Sequence, residues 1–217
     1  MTSTDYTPAM TQPSSRFWDR IADRYARQPV KDEAAYQKKL QITQDYLQPN
    51  MKLLEFGCGT GTTALTHAPF VDRILAIDIS ERMLEIAEQK AAAAGIGNVK
   101  FERAAIDDFT APDNSFDVVL GMSILHLLAD KDMAIAKVHK MLKPGGVFVS
   151  STVCLGNTMK FFKLIGPLGR ALGVLPLLQV FTTQELVTSL KAQGFEIEHE
   201  WSPGKGTSVF IVARKPA

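Results

Sequence analysis

From residue 51 to residue 153 the hydrophobic positions keep switching between two rhythms. Short apolar runs at residues 51–56, 73–79, 99–104, 116–122 and 146–153 have the length and β-branched content of buried strands. Between them, residues 62–68, 81–94 and 131–141 repeat their apolar positions at helical spacing, the second of these closing on Gly95. Strands separated by helices predict right-handed crossovers and hence a parallel sheet covered on both faces. Downstream, residues 182–193 read as a helix capped by Thr182 or Thr183 and stopped by Gly194. Two further strands at 195–201 and 208–214 are joined by a loop too short for a crossover, so they are predicted to pair antiparallel. The expected fold class is α/β, a doubly wound and mostly parallel seven-stranded sheet with an antiparallel C-terminal hairpin.

Two segments depart from this alternation. Residues 16–48 form an N-terminal helical arm in which Phe17, Ile21, Tyr25, Tyr36, Leu40 and Leu47 recur among many charges, with an interruption near Pro29. Its aromatic residues Phe17, Trp18 and Tyr25 are placed either to cover a ligand pocket or to pack on the domain. Residues 155–181 are rich in Leu, Phe, Gly and Pro with Lys160, Lys163 and Arg170 among them, and the prolines and cations break any membrane-spanning run. This insertion reads as an apolar lid over a substrate pocket, with a peripheral membrane contact as the other reading. The domain proper is 49–217. Residues 1–15 are polar, lack the basic start and apolar core of a signal peptide, and are expected to be a mobile tail.

Composition narrows the classes further. A chain of 217 residues suits one sizeable domain. Its 46% hydrophobic content and net charge of +1 show no bias toward nucleic acid or an anionic surface, so no nucleic-acid partner is expected. The two cysteines, Cys58 and Cys154, have neither zinc nor disulfide spacing, which fits a reducing cytoplasm and packing roles. No metal is expected. Oligomeric state is not legible.

The chemistry gathers at residues 53–61, Leu-Leu-Glu-Phe-Gly-Cys-Gly-Thr-Gly, where a strand ends in glycines at alternate positions and a helix opens. Such a turn lets backbone approach a ligand closely. Asp78 ends the next strand, where an acid accepts hydrogen bonds from ribose hydroxyls or else caps the following helix. The spacing is G-x-G-x-G, with Thr62 where a dinucleotide fingerprint needs its third glycine. Glu55 would oppose a pyrophosphate and suit a cofactor carrying an ammonium group. Both features count against a nicotinamide-dependent reductase.

Residues 53–61, Asp78 with Ser80 and Met83, the run Asp113-Asn114-Ser115-Phe116-Asp117-Val118-Val119, and Leu142-Lys143-Pro144-Gly145-Gly146 together resemble class I S-adenosylmethionine-dependent methyltransferases. The group most similar is the small-molecule type of the ubiquinone/menaquinone methyltransferases. The resemblance covers roughly residues 50 to 153 and implies a Rossmann-like methyltransferase fold with S-adenosylmethionine as cofactor and S-adenosylhomocysteine as product. It implies that Gly57, Cys58 and Gly59 line the methionine part with Glu55 near its amino group. Asp78 would hold the ribose, and Ile79 and Met83 would pack on adenine, with Met122 nearby. Where the family often carries an acid after its third strand this chain has Ala104, so Asp107 or the backbone of Ile106 would take that role.

Methyl transfer from a sulfonium asks mainly for positioning and dryness. Where the acceptor must lose a proton, His126 just past the fourth strand is the first candidate base, and Tyr25 the second. His67, His139 and His199 are expected at the surface. The expected activity is methyl transfer to a small apolar or amphiphilic acceptor. The alternative is a non-catalytic sensor or scaffold that binds S-adenosylmethionine.

Overall fold

β1 (Lys52–Phe56) and β4 (Phe116–Met122) run side by side at the centre of a seven-stranded sheet. The computed structural model describes residues 13–157, 176–203 and 208–217. Most of the expected lid, residues 158–175, lies outside the described residues, as do the tip of the C-terminal hairpin and most of the expected tail.

The strand order is β3-β2-β1-β4-β5-β7-β6, with β2 (Arg73–Asp78), β3 (Val99–Arg103), β5 (Leu142–Val153), β6 (Glu196–Trp201) and β7 (Ser208–Arg214). β3, β2, β1, β4 and β5 pair in parallel. β7 runs antiparallel between β5 and β6. The chain winds outward from β1 through β2 and β3, then returns to β4 on the other side. The carboxyl ends of β1 and β4 therefore flank the point where strand order reverses, the ordinary place for a ligand in such a sheet. β5 starts earlier than its apolar run suggests: Leu142 already pairs with Phe116, and the register then shifts before Val118 meets Val147.

Period-two alternation divides the core. Leu54, Phe56, Val119 and Phe148 face one helical layer, while Leu53, Val118, Leu120 and Val149 face the other. The crossover helices are α3 (Thr62–His67), α4 (Glu81–Ala93) and α5 (Lys131–Met141), and α6 (Thr183–Ala192) follows β5. α4 is capped by the Ser80 hydroxyl on the Met83 amide, and α6 opens with a capping box between Thr182 and Glu185.

The arm is two helices, α1 (Pro13–Arg27) and α2 (Glu33–Gln44), separated around Pro29 as expected. α1 begins two residues before the expected end of the tail, with Pro at its first position, and Ser15 is buried. α1 lies on α4, where Ala22 packs against Met83 and Ile86. Among the described residues no helix is long and apolar enough to cross a membrane.

Candidate active site

β1 ends at Phe56, and the chain turns through Gly57, Gly59 and Gly61, each at positive φ. The three glycines serve different ends. A Cβ on Gly57 would stand 2.6 Å from Ile124 Cγ1, and one on Gly61 would stand 2.7 Å from Ala87 Cβ, so Gly61 permits helix packing. Over Gly59 the nearest heavy atom is Tyr25 Cε1 at 4.0 Å, which leaves backbone facing open space.

That space is a cavity of about 270 Å³. Gly57, Gly59, Asp78, Ile79 and Met83 form one part of its wall, and the loop Ala104–Asp107 forms another. Met122, Ser123 and Ile124 enter from the end of β4, followed by Leu127 and Leu128, with Pro176 and Leu177 closing that side. Trp18 and Tyr25 reach in from α1, with their rings edge to face at 6.4 Å. Of the expected cofactor residues, Gly57, Gly59, Asp78, Ile79, Met83, Ile106, Asp107 and Met122 share this wall.

Asp78 is nearly buried. Its Oδ2 accepts from the Gly59 amide at 2.8 Å, and its Oδ1 accepts from the Ser80 amide at 2.9 Å. Burial still outweighs these bonds and holds its carboxyl above the usual range. Each carboxylate oxygen retains an acceptor direction for a ligand donor. Asp107 is likewise pushed up, chiefly by burial. The Lys137 ammonium ties its loop down by donating to the carbonyls of Ile106 at 3.0 Å and Asp107 at 2.5 Å.

Glu55, Cys58 and His126, three of the expected site residues, are not on the cavity wall. Phe56 faces the cavity, so its neighbour Glu55 points through the opposite face of the sheet. There it is 2% exposed, its Oε2 has no partner, and burial followed by the Asp78 charge raises its pKa to about 8. Cys58 turns into the second core layer with Leu53 and Ala64, and burial pushes its thiol well up. His126 sits in a short turn between Leu125 and Leu127 with its imidazole buried, which lowers its pKa to about 4. Its carbonyl accepts from the Gln179 amide at 2.7 Å.

Tyr25, the other candidate base, is on the wall. Its phenol is pushed up, first by burial and then by the Asp78 carboxylate, so at neutral pH it keeps its proton. His67, expected at the surface, is instead 1% exposed, with its pKa lowered to about 4 by burial. Its place beside Ala68 and three residues after Ala64, on the apolar side of α3, was the available signal.

Ser123 and Lys137 escaped the sequence reading. Ser123 holds φ at 59° on the wall, a conformation that non-glycine residues seldom adopt, while its amide donates to the Ser151 carbonyl at 2.6 Å. No spacing in the chain announces either role.

A family model described as a methyltransferase domain matches residues 47–199. A demethylmenaquinone methyltransferase of Geobacillus kaustophilus is 31% identical over 148 residues, which is 64% of this chain and 61% of that protein. A ubiquinone biosynthesis O-methyltransferase of Sinorhizobium medicae is 27% identical over 217 residues, 91% of this chain and 81% of that protein. The chain thus spans about three fifths of the demethylmenaquinone methyltransferases it matches. An S-adenosylmethionine-dependent methyltransferase from Mesorhizobium loti superposes with a TM-score of 0.68 at 23% identity, covering 84% of this chain and 99% of that one.

Proposed function

The chain belongs to the methyltransferase-domain family, and from that premise we propose that it moves a methyl group from S-adenosylmethionine to a small apolar or amphiphilic acceptor. The observation that supports the acceptor class is the mixed wall of the cavity, where the glycine turn and Asp78 are joined by the apolar side chains of Ile124, Leu127, Leu128, Pro176 and Leu177, with Ile124 lying against Gly57.

The residues fit the cofactor. The open space over Gly59 admits a chain close to backbone, and Asp78 offers acceptors to hydroxyl donors. Glu55 does not share in this fit, because it lies behind the turn, off the cavity wall, with its carboxyl held above the usual range by burial. Ile79 and Met83 would take one flat apolar face, and the Ala104–Asp107 loop held by Lys137 would take the edge. Ala104 leaves that stretch without the family's usual acid, and Asp107 on the wall is the substitute.

When bound, the cofactor supplies a methyl group already activated by its sulfonium. The protein's own contribution is geometric. Trp18 and Tyr25 wall the cavity on the α1 side, Tyr25 with 47% of its surface still exposed, and the apolar side chains of the wall orient the acceptor against the glycine turn. Tyr25 keeps its proton and so acts as a hydrogen-bond donor that orients. Among the described residues the wall carries carboxyls at Asp78 and Asp107 and no histidine, so positioning, not a strong base, does most of the catalysis. The menaquinone chemistry in a relative's name agrees with an acceptor that joins a polar ring to an apolar tail.

Calorimetric titration with S-adenosylhomocysteine, followed by turnover of labelled donor on alkylated phenols, quinols and polar small molecules, tests this. Binding with turnover on the alkylated set is expected. No binding removes the methyl-donor reading, binding without turnover favours a sensor, and turnover confined to polar acceptors overturns the acceptor class.

A further inference from the structure

Asp78 is linked by hydrogen bonds to the first helix. Its Oδ1 accepts from the Ser80 amide at 2.9 Å, and the Ser80 hydroxyl donates to Asp19 Oδ1 on α1 at 2.6 Å. That hydroxyl also accepts from the Met83 amide at 3.1 Å, while the same Asp19 oxygen accepts from the Arg82 amide at 3.3 Å. The open amides at the start of α4 are thus satisfied from two sources, its own cap and a carboxylate from another helix.

Around this link α1 makes two other kinds of contact with α4. Ala22 packs against Met83 and Ile86. Asp23 takes the Arg82 guanidinium through two bonds, at 2.7 and 3.3 Å, but both partners are well exposed, where solvent screening weakens the pair. Ala22 contributes a methyl group, with Trp18 and Ala26 packed beside it on the same cluster, which seats α1 on α4 through contacts that are not directional. The short, charge-assisted bond between Asp19 and Ser80 is directional and partly buried, so it can fix how α1 lies. Trp18 and Tyr25, on either side of Ala22, follow that placement onto the cavity wall.

We propose that Asp19 is a positioning residue: through Ser80 it orients the Asp78 carboxylate, and through α1 it sets Trp18 and Tyr25 over the same cavity. Cofactor binding and the seating of α1 are then coupled, because a ligand held by Asp78 draws on a carboxylate that α1 helps to aim. The coupling to cofactor rests on the methyl-donor reading of the cavity. The Asp19–Ser80–Asp78 link does not.

The test uses the full chain with Asp19→Ala, Asp19→Asn and Asp23→Ala. The readouts are the Kd for S-adenosylhomocysteine by calorimetry and amide hydrogen exchange with and without that ligand. Asp19→Ala is expected to raise Kd about tenfold, the effect of losing a hydrogen bond to a charged group. It should also speed exchange at the Gly59 and Ser80 amides and abolish the protection that ligand confers on residues 13–27. Asp19→Asn keeps an acceptor oxygen for the Ser80 hydroxyl and is expected to stay within about threefold of the unaltered protein. Asp23→Ala removes an exposed ion pair and should shift Kd by less than about twofold. Unaltered Kd and Gly59 exchange in Asp19→Ala would overturn the proposal, as would a ligand that leaves α1 exchange unchanged in the unaltered protein. If that protein binds no S-adenosylhomocysteine at all, the methyl-donor reading falls, and Gly59 and Ser80 exchange in Asp19→Ala decides the link by itself.

Discussion

Asp78 and Glu55 show how far a single acidic residue can be read from its position. Asp78 stands on the cavity wall with both oxygens bonded to backbone amides, those of Gly59 and Ser80, while the cap of α4 is the Ser80 hydroxyl and not Asp78. Asp78→Ala should weaken S-adenosylhomocysteine binding by about 1 to 3 kcal/mol, measured by calorimetry. Unchanged affinity would leave it a purely structural residue. Glu55 was legible as an acid beside the turn, but not as a buried one, because a strand's alternation does not say which face the cavity takes. With burial raising its pKa to about 8, Glu55 holds its proton in the folded protein where the unfolded chain, near 4.5, has lost it. Stability therefore falls as pH rises from about 4.5 to about 8. Glu55→Gln removes that loss and should stabilise the unliganded protein at pH 9 by roughly a few kcal/mol, with little gain at pH 4. Denaturant titrations at the two pH values check it, and an equal gain at both would contradict the assignment.

The glycine turn and the helix after it form one element whose parts do separate work. Gly57 and Gly59 face the cavity, while Gly61 lets α3 and α4 approach, with Ala87 and two atoms of the Phe101 ring around the space a Cβ would fill. Gly61→Ala, at a φ of 74°, should cost about 1 to 3 kcal/mol of stability from backbone strain and crowding. It should alter S-adenosylhomocysteine affinity far less than Gly59→Ala, and paired melting and binding measurements separate the two effects. The alternate spacing of the glycines was plain in the sequence. Their division of labour was not, because Ala87 and Phe101 come from later elements. The same holds for Lys137, which lies on α5 yet holds the loop after β3. His126 illustrates the reverse: its place past β4 was legible, while the short turn that buries its imidazole depended on local packing of Leu125 and Leu128.

At the scale of the whole molecule, the buried groups His67, His126 and Glu55 pull the pH dependence of stability in opposite directions. His67 and His126 have folded pKa values near 4 against 6.5 for the free side chain, so stability present above pH 6.5 is lost as pH falls toward 4. Glu55 removes stability as pH rises toward 8. Together these groups predict maximal stability near pH 6.5, seen as a peak in melting temperature across a pH series. A curve flat from pH 5 to 8 would show that the groups are not buried as described. The order of strands and helices, the antiparallel end of the sheet and the ordered glycine, acid and Pro-Gly-Gly motifs were determined by the sequence alone, because periodicity and turn chemistry act over a few neighbouring residues. Which sheet face received Glu55, whether His67 and His126 were dry, how Lys137 reached a distant loop and how Asp19 met Ser80 were decided only by the tertiary structure. Each depends on two elements far apart in the chain, and the distance between them is set by the packing of everything else.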